Sequence, residues 1–201
     1  MEGLSEILDA YEDEVLEFTK ELIATDSANP PGDERAIAQL VMDRLQQLGI
    51  DDVTAAGPEE ERPSVLAKIE GEVPGASLIL SGHIDTKPAG DLTEWHTDPW
   101  KLVEKDGKLF GRGTTDMKGF CAIALSFAPL FLERGLETPI HYGFTFEEEI
   151  NRVGINAILD GIKDFPVRPA MCIVGEPSEM KVVVAHKGKK RKGRVFFSRQ
   201  E

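Results

Sequence analysis

Ser77-Leu78-Ile79-Leu80-Ser81-Gly82-His83-Ile84-Asp85-Thr86 decides the fold. Its first four residues are apolar enough to form a strand buried on both faces, as the central strands of a parallel sheet are. The run then ends in a histidine and an aspartate. In an open α/β sheet, ligands bind beyond the carboxyl ends of the strands. A strand that stops at His83 and Asp85 therefore predicts both a sheet and the edge of it that carries chemistry.

Working outward, apolar positions at Leu4, Ile7, Leu8, Tyr11, Val15, Leu16, Phe18, Leu22 and Ile23 predict an amphipathic helix over 4–24. Asn29-Pro30-Pro31-Gly32 is a turn, and Asp33 is the expected cap of a second helix that ends at Gly49. Strands are predicted at Ser64–Ile69, Ile140–Phe146, Ala170–Val174 and Lys181–Ala185. A hairpin is predicted around Asp106-Gly107. Helices are predicted at Met117–Leu132 and Val153–Ile162. The alternation predicts an α/β fold: three layers, a mostly parallel sheet and helices on both faces.

Four remote segments end on acids. His83 and Asp85 follow one strand, Glu147-Glu148-Glu149 follow a second, and Glu176 follows a third, while Asp116 precedes the long apolar helix. Singly, each has a plain structural reading: a strand-end histidine, a helix cap, a solvated loop, a turn residue before Pro177. Together they converge on one sheet edge. One histidine among several carboxylates suits a divalent ion, Zn2+ first and Co2+ or Mn2+ next. Without a cation those carboxylates would repel one another.

Of 201 residues, 41% are hydrophobic, enough for a substantial core. No stretch approaches the roughly 18 apolar residues of a membrane span. The acidic start lacks a signal-peptide pattern, so the expectation is a cytoplasmic protein without membrane attachment. Cys121 and Cys172, in apolar runs without paired spacing, are expected to be buried reduced thiols. The first 180 residues hold 15 basic and 35 acidic side chains, which argues against nucleic-acid binding. The basic run 187–194 is read as a solvated tail.

The stretch Ser81–His186 resembles the M20 metallopeptidases. The resemblance is carried by Asp98-Pro99-Trp100, by Asp106 through Gly113, by Asp116-Met117-Lys118-Gly119, and by Gly175-Glu176-Pro177-Ser178 with Ala185-His186-Lys187-Gly188. Within the family the likeness is greatest to the acetylornithine deacetylase branch. It implies a zinc-dependent hydrolase that cleaves the amide of a small N-acyl amino acid, N-acetylornithine first. Desuccinylase, aminoacylase or carboxypeptidase chemistry is the alternative, and a catalytically dead metal-binding or interaction module is a third. The resemblance implies one or two zinc ions. His83 and Glu176 would bind the first, Glu149 the second, and Asp116 would bridge them, with a cis peptide after it. Asp85 would orient His83, and Glu148 would be the general base and acid.

Two departures from the family pattern stand out. Asn151 and Arg152 follow Ile150 where the family usually has glycine, which predicts a shifted Glu149 loop. Family members also carry, after the His-Lys-Gly segment, a lid and dimerisation domain and a last histidine ligand. Residues 1–186 are accordingly expected to be part of a hydrolase domain, truncated, with little or no turnover, and 187–201 a divergent tail where a lid would begin. Full-length relatives are expected to be homodimers, and this chain to associate through an uncovered sheet edge.

Overall fold

The computed structural model describes residues 2–58, 60, 62–73 and 75–184. In chain order these form α1 (Glu2–Ala24), α2 (Arg35–Gln47), β1 (Val53–Ala56), β2 (Ser64–Ile69), β3 (Leu78–His83), β4 (Val103–Lys105), β5 (Lys108–Phe110), α3 (Lys118–Ser126), α4 (Ala128–Arg134), β6 (Ile140–Thr145), α5 (Gly154–Ile162) and β7 (Met171–Val174), with a short 3-10 turn at Leu92–Glu94 before β4. Strand order in the main sheet is β1-β2-β6-β3-β7.

The sheet is mixed. β3 pairs in parallel with β6 and β7, whereas β1–β2 and β2–β6 are antiparallel. All six residues of β6 are buried, as a central strand covered on both faces requires. Register assigns the faces. A side chain at Gly82 would point at Cys121 and Met117, and one at Gly143 would point at Ile158. Gly143 pairs with Ser81, the neighbour of Gly82, so α3 and α5 lie on opposite faces. Helices therefore cover both sides, and the three-layer α/β expectation is borne out.

Most of the core lies on the α3 face. Phe18 and Leu22 of α1, then Ile37, Ala38, Val41 and Leu45 of α2, meet Val65, Ala67, Leu80, Tyr142, Phe144 and Leu125. The α2 residues recur at intervals of three and four, the stripe that a helix buries. Lys118 fixes the α1–α3 contact. Its buried ammonium donates to the carbonyls of Leu22 and Thr25, both at 2.8 Å, and so caps the end of α1. Desolvation pushes its pKa down to about 8.

Several expectations are corrected. The helix predicted over Met117–Leu132 is two helices, because Pro129 has no N–H to continue the ladder and Phe127 ends one helix as it starts the next. Asp33 does not cap α2. Glu34 holds the cap position without a side-chain cap bond, and Asp33 instead accepts from the Arg35 amide and guanidinium. Lys181–Val184 form no strand, and Ala185 lies outside the described residues. Cys121 is buried as expected, but Cys172 is exposed, because its strand β7 is open at the sheet edge. The hairpin β4–β5 turns at Asp106 and Gly107, both with positive φ, as a two-residue I′ turn needs. No described helix is long and apolar enough to cross a membrane. His186 and the tail 187–201 lie outside the described residues.

Candidate functional site

Parallel pairing sends β3, β6 and β7 out of the sheet at one edge, and the loops that follow carry the acids. The ladder continues past β3, where the Ile84 amide donates to Thr145 O at 2.9 Å. Thr86 then bridges to Ala28, which draws the Asn29 turn against the same edge. On the β7 side Gly175 has no Cβ because the Phe120 ring fills that space, 1.9 Å from where one would stand. The chain can therefore pass α3 and deliver Glu176.

His83 is buried at the centre. Its Nε2 lies 3.0 Å from Asp116 Oδ1 and 3.8 Å from Glu176 Oε1. Its Nδ1 lies 2.9 Å from the Asp85 carbonyl oxygen and 3.5 Å from Asp85 Oδ1. The backbone of Asp85 is thus the nearer group on the far nitrogen, and the carboxylate reinforces it by charge. Burial alone would lower the His83 pKa, but the Asp85 contacts outweigh it and raise it to about 9.

Asp85 links the histidine to the glutamate loop. Its carboxylate accepts from the amides of Glu148 at 3.0 Å and Glu149 at 3.2 Å, and from Asn29 Nδ2 at 3.3 Å. Burial pushes Asp85 up, but His83 and these amides hold it below the usual range. The loop is not solvated at its start. Glu147 is buried, accepts from Arg62 Nη1 at 2.6 Å, and takes φ +55°. The departure at Asn151 does not place strain there. Positive φ falls at Arg152, +59°, and the Arg152 amide donates to Glu147 O at 2.8 Å.

Two sets of donor atoms lie within 4.8 Å of one another: His83 with Glu148 and Glu176, and His83 with Asp116 and Glu149. Ligand atoms held at about 2.0–2.2 Å from zinc stand roughly 3–4 Å apart, so small side-chain rotations close either set on an ion. The acids also strain one another. Burial first, and then Asp116, Glu148 and Glu149, push the Glu176 carboxyl up against the pull of His83. One imidazole among repelling carboxylates fits a divalent cation. The peptide after Asp116 is cis, as the family likeness implied.

All six residues singled out in the sequence, His83, Asp85, Asp116, Glu148, Glu149 and Glu176, meet at this edge. The sequence reading missed the cations and the buried supports. Lys87 Nζ donates to Glu149 Oε2, and Arg152 Nε donates to Glu148 Oε1 at 2.5 Å. Arg62 also donates to Asn29 Oδ1 at 3.1 Å and stands 3.9 Å from the fully buried Glu34. Lys87, two residues after Asp85, was legible as a neighbour of the motif. Arg62 and Glu34 had no such signal.

The model of peptidase family M20/M25/M40 matches residues 79–188. An acetylornithine deacetylase from Pasteurella multocida is 38% identical over 157 residues, covering 77% of this chain and 39% of that protein. One from Vibrio vulnificus is 36% identical, covering 86% and 45%. A succinyl-diaminopimelate desuccinylase from Methylobacillus flagellatus is 32% identical, covering 84% and 44%. The crystal structure of human carnosine dipeptidase 1 superposes with a TM-score of 0.70 at 29% identity, covering 86% of this chain and 40% of that one. A dinuclear metal binding peptidase of the M20 family from Bacillus subtilis shares the fold, with a TM-score of 0.59 at 17% identity over 83% of this chain and 43% of that one. The chain spans less than half the length of the curated relatives it matches.

Proposed function

The chain belongs to peptidase family M20/M25/M40, and from that premise we propose that its site serves metal-dependent hydrolysis of the amide in a small N-acyl amino acid. The observation that carries this reading is the meeting of His83, Asp116, Glu148, Glu149 and Glu176, from four separate segments, in front of Asp85.

His83 Nε2, Asp116 and Glu176 would hold a zinc ion, and Glu149 would be a ligand of any second ion. Bound zinc supplies positive charge that polarises an amide carbonyl and acidifies a water. Asp85 holds His83 with Nε2 outward, and its two amide contacts set Glu148 and Glu149 beside it. The Glu148 carboxylate takes a proton from the attacking water. The hydroxyl adds to the acyl carbon, the C–N bond breaks, and Glu148 returns the proton to the leaving amine. Residues 1–186 would form part of the hydrolase domain.

N-acetylornithine is the first substrate to try, because deacetylases are prominent among the relatives. The desuccinylase relative supports N-succinyl amino acids as the second reading. The test compares zinc affinity and amine release for the chain, His83→Ala and Glu148→Gln. We expect His83→Ala to lose zinc affinity by more than about 100-fold, since changes behind a ligand already cost about 10–100-fold. Glu148→Gln should keep zinc and abolish any amine release. No zinc uptake by the unsubstituted chain overturns the proposal, and equal zinc loss in both variants overturns the role of Glu148.

A further inference from the structure

Resting on that metal reading, we propose that Lys87 acts as a built-in counter-cation at Glu149, so that this chain's site takes one divalent ion rather than two. The Lys87 ammonium donates to Glu149 Oε2. The carboxylate is nearly enclosed, at 7% exposure, while the lysine is 60% exposed and reaches in from the solvent side. Lys87 is aimed there by its backbone, since its neighbour Thr86 is pinned to the Ala28 segment on both sides of the bridge.

The charges also balance for one ion. Of the four carboxylates, Glu149 is paired with Lys87 and Glu148 with Arg152. Asp116 and Glu176 are left with His83, whose Nε2 lies within 3.8 Å of both. Two carboxylates and a neutral imidazole match one divalent cation. A second ion at Glu149 would have to displace the ammonium and sit beside its charge.

The test is calorimetric titration of the metal-free chain with Zn2+, with total bound zinc checked by equilibrium dialysis. The unsubstituted chain should bind one equivalent. Lys87→Met removes the charge at an exposed position and should leave the first event unchanged. It should add a second equivalent, bound at least roughly fivefold more tightly than any second event in the unsubstituted chain, the factor equivalent to about 1 kcal/mol for an exposed ion pair. Lys87→Arg keeps the charge and should behave as the unsubstituted chain. Adding Glu149→Gln to Lys87→Met should abolish the second event. Two tight equivalents in the unsubstituted chain, or a single equivalent in Lys87→Met, would overturn the assignment while leaving the metal reading intact. No uptake by any variant would overturn both.

Discussion

Replacing Glu34 by glutamine should stabilise the chain, and only above mildly acidic pH. Glu34 is fully buried, and neither carboxylate oxygen meets a hydrogen-bond partner among the described residues. Arg62 stands off at 3.9 Å. Desolvation lifts the Glu34 pKa from 4.5 to about 7; Arg62 pulls it down, and Asp85 and Glu147 add to the rise. Between those values the folded chain keeps a proton that the unfolded chain has released, so stability falls as pH rises through the window. Below 4.5 both states are protonated, and above 7 the full cost of burying the charge is present. At 1.36 kcal/mol per pH unit the window is worth about 3 kcal/mol. A glutamine side chain has the same shape and no charge. Its amide needs partners too, but that offset does not change with pH. Urea unfolding of both proteins at intervals from about pH 5 to about pH 8 measures the difference. It should open by up to about 3 kcal/mol toward the alkaline end. Using the difference between proteins also cancels His83, whose raised pKa removes stability over a higher range, between 6.5 and about 9. Two stability curves that run parallel across the whole range would refute the reasoning.

Two further changes probe the site and its frame. Asp85→Asn exchanges an acceptor of three N–H groups for a side chain that is half donor, and weakens the hold on His83; zinc affinity should fall about 10–100-fold by calorimetry while the circular dichroism spectrum persists. Gly154→Ala should destabilise by about 1–3 kcal/mol in urea, although alanine favours helix by up to about 1 kcal/mol, because a Cβ there would stand 2.2 Å from Phe146 O and 2.7 Å from Phe146 N.

Burial is what made parts of this fold legible. β3 and β6 are apolar runs because they are covered on both faces, and their residues announce it. β1 went unread because Val53-Thr54-Ala55-Ala56 is a short edge strand with half its residues exposed. Strand direction was legible only for the parallel strands β3, β6 and β7. Ser64–Ile69 has the composition of any buried strand, and it pairs antiparallel with β6 through register that hydrophobicity does not encode. Lys181-Val182-Val183-Val184 shows the converse: β-branched residues read as a strand, yet no partner strand pairs with them among the described residues. At the site, the acids were legible because Asp85 and Glu147–Glu149 follow buried strands, Glu176 follows the apolar run of β7, and Asp116 precedes an apolar helix. Apart from Lys87, which adjoins the motif, their cations were not, since an arginine in a loop has nothing in its spacing to say which carboxylate it will meet.

The weakest strand holds one of the most important groups. β7 is four residues long, exposed throughout, and among the described residues pairs only with β3, at the sheet edge. Its amides should exchange with deuterium early, while those of β6 should exchange last. Glu176 sits two residues beyond β7, so it reaches His83 only in the fraction of molecules whose edge strand is docked. An ion's apparent affinity is lowered by that fraction, and binding should in return slow exchange along β7. Metal occupancy and edge-strand order would then be two readings of one equilibrium.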